Sequence, residues 1–421
     1  MIRTVGVLLA LLSGSGALAN GQSTHVWISE HAKEHLPEGE LRSLVTDPAV
    51  QEALFNGTMF PDGGYAIGDD YGEMAHWEPL QNDYRDWIVA NYSAPWSDEA
   101  AQHVAFLLGM ASHGIADQTF DALFMERSKQ EDAEGGWDDN FDLATDVVMM
   151  QRVGALTPPE HWLPARTLVD IYQDGFGYTI SQSDMEDAQE LLRFAITSVG
   201  LFSQDPGIVS TYEAAFPWAA QTIDDPDEPG SPPCEGELLA LYWQSVWDRL
   251  NGEVGSAPRV LKTFPADGAL GHSRDSSLVQ TRISLVFSEA LRQDSLREDV
   301  IVLVDDTGRV VPTSAWLFYR DMSHVVHLAP LEDLAVDAWY TVQIGAGLEG
   351  IDGGVTEGEA SFQFSTAPMP EADTAADTAR GSTAKEKSGC GGCALAPSGS
   401  GGVSWLGGLL CIIGFRRYRG A

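Results

Sequence analysis

The sequence predicts a multidomain chain, an all-α domain followed by a β-sandwich. Three observations carry this. Apolar residues recur at helical spacing through residues 20–251, with no strand pattern before about residue 258. Beyond residue 257 the pattern changes to short alternating runs separated by turn residues, which is sandwich patterning. The stretch 97–124, SDEAAQHVAFLLGMASHGIADQTFDALF, carries His113, Asp117 and Asp121 in steps of four along a largely apolar helix.

That stretch is the axis of the helical domain. Ser97 is a natural N-cap, and Asp98 and Glu99 place negative charge in the first turn, at the positive end of the helix dipole. Residues 104–110 are apolar almost all round, so the helix lies inside a core. A step of four drifts only about 40° around a helix, so His113, Asp117 and Asp121 share one stripe. Unpaired buried carboxylates are very costly. Arg127 and Lys129 are the only bases soon after the stripe, and a metal ion is the compact way to satisfy it. Taken singly, each of the three has an ordinary reading as a cap or an arginine partner.

Residues 1–19 read as a secretory signal: Arg3, an apolar run over 5–12, and the small-residue cleavage site Ala17-Leu18-Ala19. Asp and Glu number 62 against 24 Lys and Arg, a formal charge of −38. A field of that sign repels nucleic-acid backbone and anionic lipid head groups at long range, so nucleic acid is not the favoured partner. Most of this charge is an ordinary solvated surface. Of the four cysteines, Cys390, Cys393 and Cys411 sit in the tail, which leaves Cys234 without a partner and excludes a disulfide framework.

Residues 24–36 form the first predicted helix, with His25 beside Val26, Trp27 and Ile28. His31 and His35 lie four apart among Lys33, Glu34 and Glu38 and read as a surface pair. Residues 56–77 are punctuated by Gly and Pro and read as a loop, carrying Asp62 directly after Pro61 and His76 before Trp77. Asp62 reads equally as an ordinary turn residue ahead of Gly63-Gly64. After Gly135-Gly136-Trp137, Asp138, Asp142 and Asp146 repeat the step of four, with Phe141, Val147 and Val148 as the apolar side; Asp138 also fits a cap. Further helices are expected at 164–174, 183–202, 208–222 and 235–251, interrupted by an acidic, proline-rich loop at 224–233.

The runs STHVWISEHA, Phe60-Pro61-Asp62, Ala75-His76-Trp77 and AFLLGMASHGIAD, in that order, resemble the zinc-dependent phospholipase C superfamily. The resemblance is nearest to its glycosylphosphatidylinositol-specific phospholipase D branch, with S1/P1 nucleases more distant. It implies an all-α phospholipase C/S1-P1 nuclease-like domain over 20–254, with two or three zinc ions in a cleft where phosphodiesters are cleaved. Carried over, His25 is the first histidine ligand, Asp62 bridges metals or acts as base, His76 is the next ligand, and His113 and Asp117 are the helix pair. Asp121 stands where the branch has a histidine, and Asp138 and Asp142 where it has a histidine and an acid. Imidazole suits zinc and carboxylate suits harder ions as well, so Ca2+ or Mn2+ are alternatives. The implied function is a metal-dependent phosphodiesterase of phospholipase C/D type acting on phospholipid. An S1/P1-type nuclease or nucleotidase, and a non-catalytic surface-binding protein with a degenerate metal site, stay open. Tyr65, Tyr71 and Trp77 read as a substrate rim or as core aromatics.

Strands are expected at 281–287, 300–305, 309–312, 315–319, 325–328, 339–344 and 361–365. The runs ISLVFSEAL, LAPLEDLAVDAWYTVQI and FQFST resemble bacterial Ig-like domains over 257–368, which implies a spacer or binding module; His324 and His327 read as incidental. Residues 369–389 form a low-complexity linker. Residues 390–421 join Cys-Gly-Gly-Cys, a short apolar run and Arg416, Arg417 and Arg419. The run 403–415 falls short of the roughly 20 residues a membrane span needs. The segment resembles C-terminal sorting tags of myxobacteria and related bacteria, which imply processing near Cys390 or Cys393 and anchoring at the cell surface or outer membrane. A plain weak membrane anchor is the other reading.

Overall fold

The computed structural model describes residues 20–132 and 140–366. The signal segment, linker, C-terminal segment and Asp138 lie outside the described residues. The helical part runs α1 (Gln22–His35), α2 (Glu40–Thr46), α3 (Gln51–Ile67), α4 (Tyr71–Ala75), α5 (Glu78–Asn91), α6 (Asp98–Thr119), α7 (Glu126–Glu131), α8 (Phe141–Val153), α9 (Ala165–Phe176), α10 (Gln182–Phe202), α11 (Pro206–Ala215), α12 (Pro217–Thr222) and α13 (Pro232–Leu250). No helix among the described residues is long and apolar enough to cross a membrane.

Helix α6 begins where its cap places it: Ser97 Oγ accepts from Ala100 N at 3.3 Å. Every residue from Val104 to Phe124 is buried, as an apolar circumference requires. The α-helix ends earlier than expected. Phe120–Met125 forms a π-helical turn before α7 continues, and Asp121 lies in it. Such turns are concentrated at functional sites.

The loop expected over 56–77 is instead helical. Its first half belongs to α3, with Pro61 inside the helix, where it removes the donor that the Gly57 carbonyl would have used. The glycines serve close packing rather than turning. A Cβ on Gly57 would lie 2.2 Å from the Phe106 carbonyl oxygen, and one on Gly109 2.1 Å from that of Leu54. The backbones of α3 and α6 therefore touch. The expected helix over 208–222 is split at Pro217, which cannot donate into the preceding turn.

The sandwich holds β1 (Val260–Phe264), β2 (Ala269–His272), β3 (Ile283–Arg292), β4 (Ile301–Asp305), β5 (Val310–Val311), β6 (Thr313–Leu317), β7 (Met322–Pro330), β8 (Trp339–Ile344) and β9 (Ala360–Thr366). One sheet has the order β1-β3-β7-β6 and the other β2-β9-β8-β4-β5. Strands β1 and β2 had no signal: β1 is half-buried at every position, so nothing alternates.

Strand β3 is buried on both faces. Leu285 and Phe287 pack into the sandwich interior, while Val286, with Val325 of β7, joins the core of the helical domain. Polar contacts reinforce this. Glu78 of α5 pairs with Arg249 of α13 at 3.0 Å and accepts from Ala290 N of β3. Arg249 also pairs with Glu289. The sandwich is thus docked through a buried interface, unlike a free spacer.

Candidate metal centre

Five side chains converge from four helical elements. Asp146 of α8 starts the construction. Its Oδ1 accepts from Thr24 N and Thr24 Oγ1, both at 2.8 Å, and its Oδ2 from Ser23 N at 3.2 Å. It therefore caps α1 from a distance and fixes His25 one residue on. Helix α3 presents Asp62, the end of α4 presents His76, and α6 presents His113 and Asp117 one turn apart. All five are buried, 0 to 7% exposed.

His76 Nε2 and His113 Nε2 are 3.0 Å apart. From Asp62 Oδ1 they lie 3.3 and 3.5 Å, and from Asp117 Oδ2 3.4 and 3.3 Å. His25 stacks on His113 with ring centroids 3.8 Å apart, its Nε2 3.0 Å from Asp117 Oδ1. His25, His113 and Asp117 form one group with ligand atoms within 4.8 Å of one another, and Asp62, His76 and His113 a second.

The tautomers fit a cation. His113 Nδ1 donates to the Thr58 carbonyl at 2.8 Å and His76 Nδ1 to that of Gly72 at 2.7 Å. A carbonyl only accepts, so each Nδ1 is the N–H, and Nε2 is the nitrogen each ring turns inward, a lone pair whenever the ring is neutral. Two lone pairs 3.0 Å apart beside two carboxylates repel unless a proton or a metal ion lies among them. His25 Nδ1 and Asp62 Oδ1 are buried without a hydrogen-bond partner, and His25 Nε2 and Asp117 Oδ1 have only each other, at 3.0 Å. Three imidazoles and two carboxylates suit zinc.

The electrostatics agree. Burial works against charge on His113, but Asp117 and Asp62 push its pKa up to about 10. Burial would raise Asp62 and Asp117, yet His113, joined by His76 for Asp62 and by His25 for Asp117, holds both below the usual carboxylate range. Burial and neighbouring His113 lower His25.

Asp121 and Asp142 stand apart from these two groups. Burial, opposed by a hydrogen bond from Tyr319 and reinforced by Asp117, pushes Asp121 up to about 7. Asp142 is raised by burial, then by Asp121, Asp117 and Asp62, so it faces the same acidic neighbourhood. Glu235 of α13 joins them, accepting from Thr119 Oγ1 at 2.8 Å and Asn20 Nδ2 at 3.1 Å. His35 is exposed and His31 half-buried, stacked on Trp27 with ring centroids 4.7 Å apart. Tyr71 is fully buried in the core, whereas Tyr65, 5.0 Å from His76 by ring centroids, and Trp77 are half-buried at the edge of the centre.

Sequence reasoning missed Gln22, whose amide donates to Asp62 Oδ2, and the capping role of Asp146, although the step of four from Asp142 pointed to it. It also missed Tyr319. A cavity of about 660 Å3 lies elsewhere, lined by Leu123, Arg127, Lys262, Arg282 and His327 among others, and none of the five clustered residues lines it. Its cations are already paired, with Glu228, Glu237 and Glu126.

Helical layers around a buried histidine–aspartate cluster, joined to a sandwich, define a multidomain protein with a candidate metal centre. Residues 24–120 match the family model of zinc dependent phospholipase C, and residues 254–366 that of the bacterial Ig-like domain. Phosphatidylinositol-glycan-specific phospholipase D of Mus musculus is 28% identical over 232 residues, covering 52% of this chain and 28% of the relative. The Bos taurus protein of that name is 30% identical over 174 residues, covering 37% and 21%. The chain thus spans under a third of these relatives' length. Solved surface-layer protein SbsC aligns over 79% of this chain and 46% of its own at 9% identity, with a TM-score of 0.22, too low to bear on the fold.

Proposed function

We propose that the protein is a zinc-dependent phosphodiesterase of phospholipase C or D type, acting on phospholipid. The observation that carries this is the inward convergence of the His76 and His113 Nε2 atoms on Asp62 and Asp117, with His25 stacked behind. The match of residues 24–120 and the phospholipase relatives support the choice of ion and substrate.

In this reading His25, Asp62, His76, His113 and Asp117 hold zinc, with Asp121 and Asp142 extending the set. Bound zinc supplies Lewis acidity and positive charge against the phosphate oxygens, which a chain of formal charge −38 lacks. Asp62 stays ionised because His113 and His76 hold its pKa down. Gln22 fixes its Oδ2, and Oδ1, turned toward the His76 and His113 Nε2 atoms, takes the proton of the attacking water. Tyr65 and Trp77 border the entry and meet the non-reacting part of the substrate. The segment 1–19 directs export, and 390–421 holds the mature chain at the cell surface; the apolar run behind Arg3 and the terminal arginine cluster support this.

The test is elemental analysis of the purified protein with a substrate panel of phospholipid micelles, bis(p-nitrophenyl) phosphate and single-stranded DNA, with and without chelator. Chelator-sensitive phospholipid hydrolysis with bound zinc is expected. Cleavage of DNA without phospholipid turnover would establish the nuclease reading instead. Less than one ion per chain would overturn the metal centre.

A further inference from the structure

We propose that Tyr319, supplied by the sandwich, is a positioning residue of the metal centre, so that the centre is built from both domains. This rests on the zinc reading above. Tyr319 lies in the hairpin between β6 and β7. Its hydroxyl donates to Asp121 Oδ2 at 2.6 Å across 198 residues of sequence. Asp121 is 5% exposed, and its other oxygen, Oδ1, is buried without a partner. One oxygen is thus fixed by the sandwich, and the other remains for an ion one helical turn beyond Asp117. This is the arrangement by which an outer hydrogen bond orients a carboxylate ligand.

The hairpin is held in place independently. Gln118 Oε1, next to Asp117 on α6, accepts from Ser323 Oγ at 3.1 Å and from His324 N at 2.9 Å. The Tyr319 ring meets Trp77, the neighbour of His76, edge-on with centroids 5.1 Å apart. The hairpin therefore touches the chain beside Asp117 and beside His76, and bonds to Asp121. A spacer domain would have no reason to make these three contacts.

The test is zinc affinity of the full-length protein, read by competition with a chromophoric chelator, for wild type, Tyr319→Phe, Asp121→Asn, the double variant and Arg85→Gln. Loss of an outer hydrogen bond of this kind costs about 10- to 100-fold in metal affinity. Tyr319→Phe should weaken the most loosely held zinc by that factor, with the double variant no weaker than Asp121→Asn alone. Arg85 joins Asp352 of the sandwich at 3.1 Å, among contacts other than those of the centre, so Arg85→Gln should keep wild-type affinity. Wild-type zinc binding by Tyr319→Phe overturns the proposal, as does an equal loss in Arg85→Gln, which would make Tyr319 one interface contact among many. A wild-type chain that binds no zinc at all overturns the zinc reading itself, a result distinct from either.

Discussion

His76 and His113 face each other through Nε2 atoms 3.0 Å apart, each with its Nδ1–H committed to a backbone carbonyl. Neither ring can rotate to relieve the other without abandoning a buried carbonyl. The pair is therefore set for an external cation, and at pH 7 the metal-free protein meets the need by protonating His113.

Zinc binding should accordingly release protons. His113 sits at about 10 and Asp121 at about 7, so at pH 7 one proton from His113 and part of one from Asp121 leave as the ion enters. Calorimetry in buffers of different ionisation enthalpy measures this number. Apparent affinity should rise with pH towards 10 and weaken in acid.

Stability of the metal-free protein should fall as pH rises from about 6 to about 10. Both groups have folded-state pKa values above their ordinary ones, so the folded chain binds more protons. His113 contributes stability that is complete below its unfolded pKa and lost through about 10, and Asp121 loses its share through about 7. Urea midpoints at pH 6 and pH 9.5 in chelator test this. Added zinc should abolish the share of His113 and Asp121 and leave that of Glu289, which lies away from the centre and whose pKa burial and Glu78 push up to about 10.

Asp62→Asn should lower kcat on a phosphodiester by about 100- to 10,000-fold, the usual contribution of a positioned base. His25, His113 and Asp117 still converge, so at least one zinc ion should remain by elemental analysis. Complete loss of zinc would make Asp62 a structural ligand alone.

Asp146→Ala should cost about 1 to 2 kcal/mol, since it leaves the first amides of α1 uncapped. Because those amides flank His25, zinc affinity should fall as well. Denaturant melts and chelator competition on the same variant check both effects.

Arg249→Met should destabilise the chain by about 3 to 5 kcal/mol, as breaking one side of a buried ion pair does. Burial and the charge of Glu78 push Glu289 up to about 10, so it holds a proton, while His324 and Arg249, against the opposing effect of burial, keep Glu78 ionised. Removing Arg249 strands that one charge. Glu78→Gln added to Arg249→Met should recover part of the loss, measured by urea unfolding.

Of the five clustered residues, His113 and Asp117 were legible locally, while His25, Asp62 and His76 were placed by the resemblance. The four-residue step from His113 to Asp117 on an apolar helix admits few explanations, and the Ser97 cap fixed that helix's start. The stretch around Asp62 misled, because Gly57, Gly63 and Gly64 look like turn residues when their role is contact with other backbones and side chains, and that depends on a helix far along the chain. The sequence placed a strand at 281–287, but the burial of Val286 against the helices depends on docking. Tyr319 gave no sign, since nothing near it in sequence distinguishes a hairpin tyrosine that reaches a remote carboxylate.

The touching backbones of α3 and α6 at Gly57 and Gly109 have a bearing on ionic radius. Asp62 and His113 ride on those two helices within five residues of the crossing, and main chain pressed on main chain offers no give. Their separation is that of a rigid calliper, which suits the 2.0–2.2 Å bonds typical of zinc with nitrogen and oxygen and disfavours a swollen shell of six to eight oxygens around calcium.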